Sequence, residues 1–156
     1  MARSGDINEN DYQALAEFRY HIRRFLRFSE RAAREAGVEP QQHQLLLAVK
    51  GMPDGIQATI SELAERLQIQ HHSTVELVDR LTTRALVTRK RGDEDRRQVI
   101  VQLTAKGEKL LRDLSMYHRD ELREESAELV TSLRKLIASM GKPTKSAKKG
   151  SATRKS

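Results

Sequence analysis

The spacing of apolar residues changes twice within residues 60–111, and this change constrains the fold more than any other feature of the sequence. The first part has apolar residues at helical spacing, namely Leu63, Ala64 and Leu67. Ser61 is placed to cap the first turn of this helix, because its hydroxyl can accept a hydrogen bond from a free amide. A second helix is predicted at about residues 72–84, with an apolar side made of Val75, Leu77, Val78 and Leu81. The break between the two helices, at residues 68–71, is as short as a helix-turn-helix requires.

A two-residue period then replaces the helical one, which predicts two β-strands. They are expected at Val87–Arg91 and Val99–Leu103, with a polar turn between them that Gly92 opens. Thr104 is expected to cap a long C-terminal helix. A helix pair followed by a basic two-stranded wing can touch DNA twice, with one helix in the major groove and the wing tip in an adjacent minor groove.

Three short motifs occur in order along this run. They are the ISELAERL helix followed by Leu77–Leu81 and Leu86-Val87, the wing segment Asp95-Arg96-Arg97, and Leu103-Thr104-Ala105-Lys106-Gly107 at the entry to the last helix. Together they resemble the MarR family of bacterial transcription regulators, and the specific match covers about a third of the chain. The resemblance implies a mainly α fold with a small β-wing. A winged helix can also be a protein-interaction module, but the basic wing argues against that alternative.

The resemblance implies a single domain at residues 1–140, with a winged helix-turn-helix lobe at about 40–104 and dimerisation helices at about 8–36 and 105–140. Within the lobe, Pro40 is expected at the first position of a helix that ends near residue 52. Residues 56–60 are expected to form a short strand that pairs with the wing.

Both ends of the chain have the apolar spacing of helices that pack on other helices. The first stripe consists of Leu15, Phe18, Ile22, Phe25, Ser29, Ala32 and Ala36, and the second includes Leu129, Leu133 and Leu136. The C-terminal helix, about 35 residues long and either continuous or broken near residues 117–120, is hard to bury against a domain of this size. We therefore expect a homodimer in which the partner subunit covers these stripes.

The second helix of the pair supplies most of the predicted DNA contacts. Base edges are expected to meet its N-terminal part, at His71, His72, Ser73 and Glu76. Glu76 either accepts a hydrogen bond from a cytosine amino group or pairs with Arg80. Two arginines contact phosphate or pair with neighbouring acids: Arg80 and Arg84, with Asp79 and Glu76 as the alternative partners.

Further positive charge lies in the wing and at the C-terminus. The resemblance implies that Arg97 enters the minor groove, that Asp95 orients it through a charge-assisted bond, and that Arg96 contacts phosphate. Residues 141–156 carry six cations and no acid, so removing +6 from the net charge of +7 leaves +1 for the rest. This segment is expected to be a disordered basic tail that follows phosphate groups rather than base edges.

Length and composition fit a DNA-binding regulator. With 156 residues and a sequence pI of about 9.9, the chain is long enough for one domain and suits an anionic partner. The sequence has no cysteine, which excludes a thiol switch and fits a reducing compartment. It also has no apolar run of about 18 residues, so we expect a soluble, cytoplasmic protein with no membrane partner.

The sequence gives little support for an enzyme, a cofactor or a metal site. Adjacent His71 and His72 point in different directions, and no glycine-rich phosphate loop is present. We therefore interpret the chain as a homodimeric regulator, most simply a repressor, that binds a pseudo-palindromic operator in double-stranded DNA. The alternative is an architectural, nucleoid-type DNA-binding protein with little sequence specificity. The resemblance also implies a small aromatic or phenolic effector, for which Arg19, Arg23 and His43 are candidate ligands or else ordinary surface and core residues.

Overall fold

The computed structural model describes residues 7–139, apart from the side chains of Glu124 and Glu125. Its elements are α1 (Glu9–Glu35), α2 (Pro40–Lys50), α3 (Ile60–Leu67), α4 (His71–Thr83), β1 (Val87–Arg91), β2 (Val99–Leu103) and α5 (Ala105–Ser139). The described chain divides into two compact units, a winged unit at residues 24–125 and a terminal unit formed by residues 7–23 and 126–139. The mainly α fold with a small β-wing is thus confirmed. The predicted basic tail lies outside the described residues.

The winged unit has one apolar core, to which α2, α3, α4 and both strands contribute. Its fully buried side chains include Val38, Leu45, Leu46, Leu63, Val78, Leu81, Leu86, Val87 and Val101. Thr74 is also fully buried, which the sequence did not predict, and its hydroxyl donates to the carbonyl oxygen of Gln70 at 3.1 Å. This bond satisfies the hydroxyl and lets a polar side chain lie on the inner face of α4.

The two predicted strands are confirmed at their predicted limits. They pair antiparallel, with Val87 opposite Leu103 and Arg91 opposite Val99. The short strand expected at residues 56–60 is reduced to a single bridge between Thr59 and Ile100. The hydrogen bond from the amide of Val101 to the carbonyl oxygen of Ala58, at 2.9 Å, is part of this bridge.

The caps of the helices set where each one begins. The prediction that Ser61 caps α3 is wrong: the helix starts at Ile60, and the hydroxyl of Thr59 accepts a hydrogen bond from the amide of Glu62 at 3.2 Å. Pro40 is the first residue of α2, as predicted. Thr104 caps α5, also as predicted, because its hydroxyl accepts from the amide of Gly107 at 3.0 Å.

The helix α5 is continuous from Ala105 to Ser139, so the alternative with a break near residues 117–120 is excluded. At its start, Gly107 lies so close to the residue that precedes β1 that an added Cβ would collide with the carbonyl oxygen of Leu86. This close approach explains why the motif at the entry to α5 has glycine at that position.

The terminal unit has few buried side chains and many exposed apolar ones. Ser132 and Leu136 are buried, whereas the exposed large apolar side chains are Ile7, Tyr12, Leu15, Tyr20, Val130, Leu133 and Ile137. His21 lies between two carboxylates, with its Nε2 3.6 Å from Glu17 and its Nδ1 3.6 Å from Glu128. Among the described residues, no helix has the length and apolar character needed to cross a membrane.

Candidate nucleic-acid interface

The first turn of α4 is polar and exposed. His71 and His72 are exposed, and Ser73 is half-buried. The N-cap residue, Gln70, makes no side-chain capping bond, and the first turn contains no acidic residue. The amide groups of a helix start have no partner within the helix and carry the positive end of the helix dipole. This turn can therefore present hydrogen-bond donors to an anionic or acceptor-rich surface.

The buried side of α4 fixes which residues face outward. Because Thr74, Leu77, Val78 and Leu81 are buried and Val75 packs against the core, the charged side chains of α4 are left on the surface. Glu76 and Arg80 are exposed there, and neither forms an ion pair with another described residue. The alternative pairing of these two residues with each other is therefore not observed.

Asp79 has a different partner from those considered in the sequence. Its carboxylate forms an ion pair with Arg89 on β1, which ties the middle of α4 to the wing. The alternative in which Asp79 pairs with Arg80 or Arg84 is wrong, because Arg89 occupies that carboxylate. Arg89 was not singled out in the sequence. The only signal in the sequence was its place in the predicted basic strand, whose residues after Val87 are all exposed in the structure.

Arg84 also has intramolecular partners. Its Nη1 donates to Oε1 of Gln42 at 2.9 Å, and its Nη2 donates to the carbonyl oxygen of Gly37 at 2.6 Å. The predicted alternative pairing with Asp79 or Glu76 is thus replaced by contacts with the start of α2 and the turn before it. The sequence shows no signal for either partner.

The wing tip presents an arginine that a neighbouring carboxylate holds. Asp95 accepts hydrogen bonds from the amide of Arg97 at 3.0 Å and from its Nε at 3.2 Å, as expected. The Arg97 side chain is nevertheless 92% exposed. The carbonyl oxygen of Arg96 accepts a bond from Arg91 at 3.0 Å, while the Arg96 side chain is exposed. Together these bonds fix the loop and leave two guanidinium groups at its tip.

The three residues considered for an effector do not lie in one unit. Arg19 and Arg23 are exposed in the terminal unit, and His43 is buried in the winged unit. The His43 ring lies 4.9 Å from that of His118, and its Nδ1 has no hydrogen-bond partner among the described residues. Burial, and secondarily the neighbouring His118, lower the pKa of His43 to about 4. Among the described side chains, no cluster of His, Cys, Asp or Glu could hold a metal ion.

Comparisons with known proteins agree with this architecture. Residues 36–98 match a family model described as the MarR family. The uncharacterized HTH-type transcriptional regulator YfiV of Bacillus subtilis (strain 168) is 37% identical over 73 residues, which are 46% of this chain and 44% of that protein. The matched region thus spans less than half of the length of this relative.

Two solved structures extend the similarity beyond the wing. A MarR family protein from Bacillus stearothermophilus has a TM-score of 0.66 and 25% identity, covering 88% of this chain and all of that one (100%). The transcriptional repressor CouR, in a structure bound to a 23-mer DNA duplex, has a TM-score of 0.58 and 27% identity, covering 71% of this chain and 82% of that one.

Proposed function

This chain belongs to the MarR family of transcription regulators, and we propose that it is a sequence-specific DNA-binding repressor that acts as a homodimer. The observation that carries this proposal is one surface feature of the winged unit. The unit exposes both the polar first turn of α4 and, at the wing tip, an arginine that is hydrogen-bonded to a neighbouring carboxylate. The similarity to CouR, whose structure contains a DNA duplex, supports it. The family consists of regulators and not of enzymes, and a regulator of transcription acts in the cytoplasm, where bacterial DNA lies.

The start of α4 is proposed to read base edges in the major groove. Imidazole groups can donate to guanine acceptors or accept from amino groups, which suits His71 and His72. Ser73 can donate or accept, and Glu76, which has no ion-pair partner among the described residues, can accept from a cytosine amino group. The guanidinium of Arg80, one turn later and without an ion-pair partner among the described residues, is proposed to contact phosphate.

The wing is proposed to read the adjacent minor groove. Arg97 would enter that groove, Asp95 would keep its guanidinium at the required angle, and Arg96 would contact phosphate. In this arrangement the base contacts recognise the DNA sequence. The phosphate contacts position the protein, because they fix its register without distinguishing bases.

A homodimer would place two copies of α4 about one helical turn of DNA apart, so the operator would be a pseudo-palindrome. The exposed apolar side chains of the terminal unit support this assembly. We further propose that a small aromatic or phenolic anion weakens DNA binding, with the exposed Arg19 and Arg23 of the terminal unit as candidate ligands; His43, which is buried in the winged unit, is interpreted as a core residue.

Selection of bound sequences from a random duplex pool tests the proposed function. We expect a single enriched motif with two inverted half-sites whose centres lie about 10 base pairs apart. A footprint on the enriched sequence should then show one discrete protected region. Equal affinity for enriched and random duplexes would favour the architectural, non-specific alternative.

Replacing Arg97 with alanine is expected to weaken operator binding by roughly 1–3 kcal/mol, the scale of a good base contact. The measurement is fluorescence anisotropy with the selected operator at fixed salt concentration. Arg112→Ala is the matched control, because it removes the same charge from an exposed position on α5 to which no role in DNA binding is assigned. If the Arg97→Ala and Arg112→Ala chains, both folded, bind the operator equally well, Arg97 does not read the minor groove.

A further inference from the structure

Arg84 joins the C-terminal end of α4 to the turn between α1 and α2. Its guanidinium donates to Gln42 Oε1 at 2.9 Å and to the carbonyl oxygen of Gly37 at 2.6 Å. We propose that Arg84 is a positioning residue, which sets the angle of the recognition helix against the α1–α2 turn, and that it is not a phosphate contact. This inference rests on the proposed function and assigns a second role within the same DNA-reading unit.

Both acceptors are fixed by the local structure around them. Gly37 has the left-handed φ of 83°, and the turn that it forms ends α1, with the amide of Val38 bonded to the carbonyl oxygen of Ala33 at 3.0 Å. Gln42 is 7% exposed, and its Oε1 also accepts from the amide of Glu39 at 3.1 Å in the capping box of α2. The two acceptors therefore form a ready-made site for a planar group with several donors, which describes a guanidinium and not an ammonium.

Other bonds hold the backbone at this end of α4 independently of the Arg84 side chain. The carbonyl oxygen of Arg84 accepts from Lys106 Nζ at 3.1 Å, and that of Ala85 accepts from the hydroxyl of Thr104 at 2.7 Å. Leu81 and Leu86, on either side, are buried in the core. A chain that lacks the Arg84 side chain should thus still fold, with the end of α4 tied to α5 but released from α2.

The N-terminal end of α4, which is proposed to contact base edges, would move if the Arg84 contacts were lost. The helix has 13 residues and is therefore about 20 Å long. A tilt of about 5° at one end moves the other by about 2 Å, which exceeds the tolerance of a hydrogen bond to a base edge. The side chain of Arg84 can therefore govern base reading by His71 and His72 without touching DNA.

The expected result for Arg84→Ala is a loss of roughly tenfold in operator affinity, the scale of one charged hydrogen bond. Affinity for random duplexes and the slope of log affinity against log salt should not change, because no phosphate contact is lost. Arg84→Lys should resemble Arg84→Ala, since an ammonium cannot bridge both acceptors. If Arg84 bound phosphate instead, Arg84→Lys would keep most of the operator affinity, because lysine keeps the positive charge.

Variants of Gln42 test the same contact from its other side. Gln42→Ala removes the acceptor and should lower operator affinity as Arg84→Ala does, and the double variant should bind no more weakly than either single one. Gln42→Glu keeps an oxygen for both Glu39 and Arg84, so it should retain nearly wild-type affinity. Arg80→Ala is the comparison for a true phosphate contact, and it should lower the magnitude of the salt slope by about 0.9.

Three results would overturn the inference: a reduced salt slope for Arg84→Ala, full affinity for Arg84→Lys, or independent effects of the Arg84 and Gln42 changes. The contact itself is measured without DNA, by a double-mutant cycle of urea unfolding on the two residues. If the wild-type chain did not distinguish operator from random DNA, the proposed function would fail even though this cycle showed coupling. If it did distinguish them and the cycle showed no coupling, the inference about Arg84 alone would fail.

Discussion

A chain carrying both Leu133→Glu and Ile137→Glu is expected to be monomeric and to bind its operator at least a thousandfold more weakly, near the level of non-specific binding. Both side chains are exposed on α5, at 38% and 59% respectively, and Val130 lies on the same helical face. Within the terminal unit, the face formed by Val130, Leu133 and Ile137 is exposed to solvent. Burial of such a face in a symmetric dimer would be blocked by four carboxylates at one interface.

Sedimentation velocity and operator titration measure the two expected effects. Thr131→Glu with Ala138→Glu is the matched control, because both positions are exposed on the same helix, off the apolar face, and the charge change is identical. The control chain should remain dimeric and bind normally. A dimeric Leu133/Ile137 variant would refute the assigned interface, and a monomeric variant with full operator affinity would refute the symmetric-dimer model.

The position of this face could be predicted from the sequence only in part. Spacing alone placed Leu129, Leu133 and Leu136 on one apolar side. In the structure Leu136 is buried within its own chain and Leu129 is half-buried, so the outward face is centred on Leu133 and Ile137 instead. Periodicity shows that a helix has an apolar side, but it does not show which part of that side the same chain already covers.

Contacts between residues that are close in the sequence could be predicted more accurately than contacts between distant residues. The Asp95–Arg97 bond could be predicted because the partners are two residues apart, and the strand limits followed from alternation. Arg84, by contrast, meets acceptors 42 and 47 residues away, at positions that only the folded α1–α2 turn defines. The sequence does not determine the cap of α3, because Thr59 and Ser61 can both supply a hydroxyl, and the bridge at Thr59 favours the earlier start.

Acidification from about pH 7 to about pH 4 is expected to remove about 3 kcal/mol of the unfolding free energy through His43 alone. This imidazole is only 3% exposed, and its Nδ1 has no hydrogen-bond partner among the described residues. Burial, and then the nearby His118, lower its pKa from 6.5 to about 4. Protonation is therefore costly in the folded chain and easy in the unfolded one.

A proton on Nδ1 of His43 would have no hydrogen-bond acceptor among the described residues. His118 lies with its Nδ1 2.7 Å from the carbonyl oxygen of Leu114, which can only accept, so Nδ1 carries a proton. Its Nε2, 2.8 Å from the Ser29 hydroxyl, then accepts from that group when the ring is neutral. A cation at His43 would meet this hydrogen-bonded imidazole at a ring separation of 4.9 Å, and none of the described residues forms an ion pair with His43.

The sign of the pH effect follows from these two pKa values. Above pH 6.5 both the folded and the unfolded chain hold His43 neutral, and its contribution to stability is fully present. Between pH 6.5 and about 4 only the unfolded chain takes up the proton. The free energy of unfolding therefore decreases as the pH is lowered through this window. Urea unfolding at about pH 7, 5.5 and 4 measures the loss, at constant protein concentration because the stability of the proposed dimer would depend on it.

His43→Leu isolates the contribution of this one group. Leucine is similar in size and cannot be protonated, so the variant should be at least as stable near neutrality and should lose about 3 kcal/mol less than the wild-type chain by about pH 4. His72→Gln is the control, because that histidine is exposed on α4, and its replacement should leave the wild-type pH profile unchanged. If His43→Leu kept the full acid sensitivity, protonation of carboxylates elsewhere would be its cause. His43 would then not be the neutral base that its burial indicates, together with an Nδ1 that has no partner among the described residues.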